Sequence, residues 1–302
     1  MSAPTTQDQP ATQDRAMTDD QPVTRSRRAR FVRKHLPTAL LLVLAIIWLI
    51  PLWWMFSLSL TPNEILQRDT SNLLPPEVTF ENFLSVFQVG LSGRWFLNSL
   101  IVASSTTLLT LTVSSMAGYA FARLRFPGKK ILFPVVIAGL MVPQEVMFIP
   151  LFLIFETLGL HNTHPGLFLP RVGVPLGVFI MTTFFAAIPG EIEEAAQIDG
   201  ASRWRIFRQI MLPMAMPAMT ALAIFTFVLT WNDYLWPLVS ATEREMFTIT
   251  TGLASLQGNF AQATELGALM ARGVLASLPL LLLFMIFQRQ LIRGISLGSG
   301  GK

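Results

Sequence analysis

Six stretches of this chain are apolar nearly throughout and far longer than the buried stripe of an ordinary surface helix. They run at about Leu36–Leu60, Phe96–Phe121, Ile131–Phe155, Gly166–Ile188, Met211–Leu235 and Leu266–Phe287. A hydrocarbon core of about 30 Å is crossed by roughly 20 apolar residues in helical form, because a helix satisfies its own backbone polar groups where water is absent. The first run meets that requirement without one charge between Thr38 and Leu60. It is too long for a signal-peptide core and is not followed by a small-residue cleavage site, so a retained anchor is expected. The predicted fold class is all-α, a polytopic membrane protein with six transmembrane helices.

The intervals between the runs are polar. Residues 1–24 are rich in Gln, Asp, Thr and Pro and almost devoid of large apolar side chains, which cannot offset the entropy of ordering. A disordered tail is expected over residues 1–35, a transmembrane domain over 36–293 and a short tail over 294–302. The outer segment Thr61–Arg94 is punctuated by Pro62, Pro75 and Pro76, with a short helix expected near Phe80–Phe87. Pro51, Pro134, Pro143, Pro150, Pro175 and Pro279 fall inside runs and predict kinks that face other helices, where the freed carbonyls find partners. The second run carries many Ser and Thr residues, which suits burial against protein because small hydroxylated side chains allow close approach.

Composition agrees with this pattern: 52% of the 302 residues are hydrophobic and 13% charged, against about 25% charged in soluble domains. Charge then orients the chain. Of the 22 Lys and Arg residues, 17 lie on one side: in the N-terminal tail, among Arg123, Arg125, Lys129 and Lys130, among Arg203, Arg205 and Arg208, and after the last run. Basic residues concentrate in cytoplasmic loops, so both termini are expected in the cytoplasm. Anionic lipid at that face accounts for the net charge of +4 without a nucleic-acid partner. The absence of cysteine excludes disulfides, thiolate metal sites and cysteine nucleophiles.

Catalytic chemistry finds little support. The chain has neither a phosphate-cradling Gly-x-x-x-x-Gly-Lys-Ser/Thr loop nor a His-Glu-x-x-His metal motif. His161 and His164 are expected as solvated loop residues, and no metal site is predicted. Within the runs, an ionisable residue costs about 2.5–3.5 kcal/mol at the bilayer centre and should face protein or water. Glu145 beside Gln144 in the third run, and Asp233 with Trp231 and Asn232 near the outer end of the fifth, are candidates for a solute pathway; tryptophan there serves equally as an interface anchor. Arg272 is expected to reach toward the outer interface, and Trp48, Trp53 and Trp54 to form an aromatic belt.

The cytoplasmic interval between the fourth and fifth runs has a sharper signature. Glu191, Glu193 and Glu194 follow Pro189 in what reads as a first helical turn, where the dipole favours carboxylates. Gly200 can adopt the left-handed conformation that ends a helix. Helical spacing puts Ile192, Ala195, Ala196 and Asp199 on one face, shallow enough for close docking, and a second helix is expected from about Ser202. The order Glu194-Ala195-Ala196, Gly200, Ile210, Leu212-Pro213 resembles, without a gap, the Glu-Ala-Ala loop of the permeases of ATP-binding-cassette importers. Gly118 to Arg123, Ile149-Pro150-Leu151, Leu158-Gly159-Leu160 and Trp231-Asn232-Asp233 are similar to carbohydrate permeases of the maltose and glycerol-phosphate type.

This resemblance implies a type I importer permease fold with its core at about 94–288 and a coupling helix at 190–201. It implies a subunit that is not an enzyme and holds no cofactor, ATP and magnesium belonging to a partner ATPase. The expected partners are a second permease forming a heterodimer, two ATPase subunits and an extracytoplasmic solute-binding protein. The expected cargo is a sugar, with a polyol or glycerol phosphate as the alternative and an ion-coupled carrier as a rival class.

Overall fold

The computed structural model describes residues 27–88, 91–173, 175–257 and 265–299. The expected N-terminal tail lies, up to residue 26, outside the described residues. The chain divides into two compact units, Met1–Pro51 and Leu52–Lys302. The described part of the first is helical. Helix α1 (Arg27–Ser59) starts ahead of the predicted Leu36, and within this unit its side chains from Leu36 to Ile50 are exposed, Trp48 by 78%. A helix that is apolar all round is built for lipid or for another chain.

In the second unit, the end of α1 is tied to the outer segment. Trp53 and Trp54 donate their indole N–H groups to the carbonyls of Leu73 (2.9 Å) and Thr70 (3.1 Å). They thus anchor backbone rather than merely marking an interface. Short α2 (Asn63–Leu66) and α3 (Glu81–Gln88) follow, the latter where a helix was expected. Asn82, buried on α3, donates its amide to the carbonyls of Ser59 (3.0 Å) and Thr61 (2.8 Å), which satisfies acceptors that a helix end leaves open.

Helix α4 (Ser92–Arg123) is the axis of the unit, and the next predicted run is discontinuous: α5 (Lys129–Ala138), a tight turn at Gly139–Met141, then α6 (Phe148–Thr157). The fourth run is α7 (His164–Phe168) with a turn to Arg171, bent by 52° into α8 (Pro175–Ala187). Helices α9 (Gly190–Ile198), α10 (Arg203–Ile206) and α11 (Leu212–Met214) form an elbow before α12 (Met216–Trp231), with a bend of 73° between the last two. After α12 come α13 (Leu235–Ser240), α14 (Ile249–Gln257) and α15 (Leu266–Ser299), the last running through the stretch expected to be a C-terminal tail.

Among the described residues, three helices are long and apolar enough to cross a membrane singly: Leu36–Ser59, Ser92–Arg123 and Leu266–Gln288. Counting each bent pair as one span makes five. The run Ile131–Phe155 is not the continuous helix that was expected. Its break has a local cause: Val142, directly before Pro143, is extended (φ −87°, ψ 114°), the conformation forced on a residue that precedes proline.

Packing centres on α4, which lies closest to α8. A Cβ on Gly118 would sit 2.9 Å from the backbone of Met181, so only glycine admits that approach. Thr106, Thr110 and Ser114 on α4 are fully buried, as expected for the hydroxyl-rich run. Toward one end of α4, Trp95 and Ala103 pack with Trp231 and Ile249. Toward the other, Tyr119 joins Met181, Phe185, Phe207 and Met211 in a cluster that carries the elbow.

Candidate functional site

The elbow is built by local chemistry. Pro189 precedes α9, Glu191 and Glu193 lie in its first turn, and it ends in paired capping bonds from Ala201 N to Ala196 O (2.9 Å) and from Gly200 N to Gln197 O (3.0 Å). Gly200 sits at φ 78°, so the left-handed stop expected from sequence is present. Ser202 then caps α10, its hydroxyl accepting from Arg205 N at 3.3 Å. A π-type turn over Phe207–Met211 leads into Leu212-Pro213, with Ile206 and Met211 fully buried. Ile210 is half-buried against the same cluster.

The face of α9 differs from the predicted one. Ile192, Glu193 and Ala196 turn inward, whereas Glu191, Glu194, Ala195, Ile198 and Asp199 point out, Ile198 with 87% of its surface exposed. The outward face of α9 therefore carries Glu194, Ala195 and Ile198, with Trp204 (59% exposed) just beyond. Trp204 was not singled out from sequence; a tryptophan among basic residues on a polar loop was its only signal.

Inward-facing Glu193 meets Arg123 at the end of α4, with Arg123 Nε 4.0 Å from its carboxylate. Arg123 also donates from Nη2 to the Ile188 carbonyl at the end of α8. One guanidinium therefore links α4, the end of α8 and α9. Beside it lies a groove of about 860 Å³ whose wall includes Arg125, Lys129, Arg203 and Glu194.

A second polar constellation gathers where helices break. Asp233, just past α12, accepts on Oδ2 from Arg171 Nε (2.8 Å) and Nη2 (2.6 Å), while Arg171 Nη1 donates to the Gln144 side chain. Gln144 and Arg171 line two adjacent cavities, one of about 460 Å³ whose wall includes Glu145 and Trp236, the other of about 180 Å³ reaching Asp233. The predicted pathway residues thus separate. Gln144, Glu145 and Asp233 come to these cavities, but Trp231 is buried, donates to the Ala276 carbonyl (3.0 Å) and meets Phe96 edge-on. Asn232 bonds back to Val228 in its own helix. Arg171 was not singled out from sequence.

Other expectations change as well. His161 and His164 are packed rather than solvated: His161 lies over Phe152 and within 3.2 Å of Ser240 Oγ, and His164 bonds Asn98 at 3.0 Å. Arg272 does not extend outward but is buried against Ser92 (3.1 Å). A formal Gly-x-Ser-x-Gly match at Gly294–Gly298 lies within helix α15, not on the strand-to-helix turn that exposes a nucleophile. No group of acidic or histidine side chains able to hold a metal ion occurs among the described residues.

An all-α membrane chain with broken spans and a capped elbow has the build of a transport subunit. Residues 111–297 match the family described as the binding-protein-dependent transport system inner membrane component. The chain is 37% identical over 264 residues to the diacetylchitobiose uptake system permease protein NgcG of Streptomyces coelicolor, covering 86% of this chain and 87% of the relative. It is 33% identical over 253 residues to the trehalose transport system permease protein SugB of Mycobacterium tuberculosis, covering 83% and 92%. Its fold is similar to that of a chain in the crystal structure of a bacterial ABC transporter that imports the acidic polysaccharide alginate, with a TM-score of 0.73, 21% identity and coverage of 87% of this chain and 98% of that one. The chain belongs to the binding-protein-dependent family of ABC transporter permeases. It is a multi-pass inner-membrane permease subunit and not itself an enzyme, which sets aside the ion-coupled carrier.

Proposed function

We propose that this chain is the sugar-translocating permease of a type I importer, crossing the membrane six times with both termini in the cytoplasm. The sixth crossing is the broken pair α5 and α6. It works with a second permease, two ATPase subunits that bind ATP and magnesium, and an extracytoplasmic solute-binding protein. The observation that carries this reading is the elbow. Helix α9 has its inner face fastened to α4 and α8 through Arg123, and its outer face holds Glu194, Ala195 and Ile198 without partners among the described residues.

Such a face seats an ATPase groove: the small side chain of Ala195 lets two backbones approach, Ile198 supplies apolar area, and Glu194 supplies a charge for a basic partner. Force applied there passes to α4 and α8 through contacts rather than through a flexible loop. The sugar assignment is supported by the relatives named above and by the polar cavities at the helix breaks, where Arg, Asp and Gln supply donors and acceptors suited to hydroxyl groups.

The test is Glu194→Lys in the co-expressed transporter. Membrane insertion and melting temperature are expected to stay at wild-type values, while co-purification of the ATPase and sugar uptake are lost. Wild-type ATPase yield together with wild-type uptake would refute the coupling role. Uptake of labelled trehalose, maltose and diacetylchitobiose by the wild-type assembly tests the cargo, and transport of none of them would point to the polyol or glycerol phosphate alternative.

A further inference from the structure

Three interruptions converge on one guanidinium. Gln144 lies in the break between α5 and α6, Arg171 closes the turn before the bend into α8, and Asp233 follows the end of α12. The Arg171 and Asp233 side chains are only 24% and 12% exposed; an ion pair so covered is costly to desolvate, and an apolar contact would join three helices more cheaply. Two features distinguish it from a simple tie. It faces space, since Gln144 and Arg171 both line the cavities of about 460 and 180 Å³. It also leaves chemistry unused: both Arg171 contacts fall on Asp233 Oδ2, and Oδ1 takes no hydrogen bond among the described residues.

We propose that Arg171, Asp233 and Gln144 form a solute-contacting subsite for neutral, hydroxyl-rich molecules, in which Asp233 Oδ1 accepts from a hydroxyl and Arg171 and Gln144 donate to hydroxyl oxygens. Asp233 has a second role there: by cancelling the guanidinium charge it withholds a cation that would otherwise attract carboxylated sugars. With Glu145 on the same wall, the lining carries no excess positive charge, so anionic saccharides are rejected by electrostatics and not by size. The subsite rests on the reading of the chain as a sugar permease.

The complete transporter in nanodiscs, without the solute-binding protein so that its selectivity cannot intervene, would be titrated calorimetrically with trehalose, maltose, diacetylchitobiose and an alginate disaccharide. The wild type is expected to bind at least one neutral sugar and not the alginate disaccharide. Arg171→Lys should weaken neutral binding about tenfold, as loss of a hydrogen bond to a charged group implies. Asp233→Asn should weaken it similarly, and Asp233→Asn combined with Glu145→Gln, which leaves Arg171 as the one charge on the two linings, should introduce binding of the alginate disaccharide. Adding Arg171→Gln to that pair should abolish the new binding, because the released charge is gone. Unaltered neutral affinity in both single variants, or no alginate binding by the Asp233→Asn, Glu145→Gln variant with its melting temperature intact, would overturn the subsite. If all variants lose assembly and ATP hydrolysis together while affinity per folded complex is unchanged, the cluster is a structural tie and the proposal is wrong. If the wild type assembles and hydrolyses ATP yet binds and transports none of the neutral sugars, the sugar-permease reading itself has failed.

Discussion

Glu193 and Glu194 are chemically identical neighbours, yet about 100° of helical rotation per residue sends them to different jobs. Glu193 is buried and faces Arg123 across 4.0 Å, whereas Glu194 is exposed on the outer face of α9. Removing one partner of a buried polar pair leaves the other desolvated and unpaid, a cost of about 1–3 kcal/mol. Arg123→Ala should therefore lower the melting temperature of the purified permease, and more than Glu194→Ala does, because the Ile188 carbonyl loses its donor too. Equal melting temperatures for the two variants, read by intrinsic tryptophan fluorescence, would show that the Arg123 link carries no stability. This difference was only partly visible in the sequence. The spacing of Ile192, Ala195, Ala196 and Asp199 suggested one docking face, but a periodicity of 3.6 does not say which side is covered, and α4 and α8 decide that.

At the scale of the element, the elbow was legible because its signals are local: carboxylates after Pro189, a glycine stop, a serine cap and Leu212-Pro213. The helix breaks were harder to read. Pro143 was expected to kink a continuous helix, and instead Val142 is extended and the helix ends, with Gln144 and Glu145 in the break lining a cavity. Whether a proline kinks or ends a helix depends on what its neighbours offer the freed carbonyls, which sequence does not show. Gly200 tests the elbow directly. A Cβ there would meet nothing within 4 Å, so any effect of substitution comes from its φ of 78°. Left-handed backbone costs an L-residue about 1–2 kcal/mol, with β-branching adding to it. Gly200→Val should reduce solute-stimulated ATP hydrolysis, and Gly200→Ala should do so less. Hydrolysis at the wild-type rate in both would mean that the turn does not transmit force.

For the whole molecule, the distribution of Lys and Arg makes a claim about sidedness that the absence of cysteine allows to be tested cleanly, since any introduced thiol is unique. The order of the predicted spans assigns seventeen of the 22 basic residues to the elbow's side, so the elbow should face the cytoplasm and the outer segment the opposite compartment. Glu77, in the outer segment, and Gln197, on the elbow, are both exposed. In intact cells, a membrane-impermeant maleimide is expected to label Glu77→Cys and spare Gln197→Cys. Opening the membrane should expose Gln197→Cys, and co-expressed ATPase should protect it again, because it lies on α9 one residue before the exposed Ile198. Labelling of Gln197→Cys from outside would invert the topology and remove the ATPase from the elbow. Labelling from inside without protection would keep the orientation and move the motor's seat elsewhere.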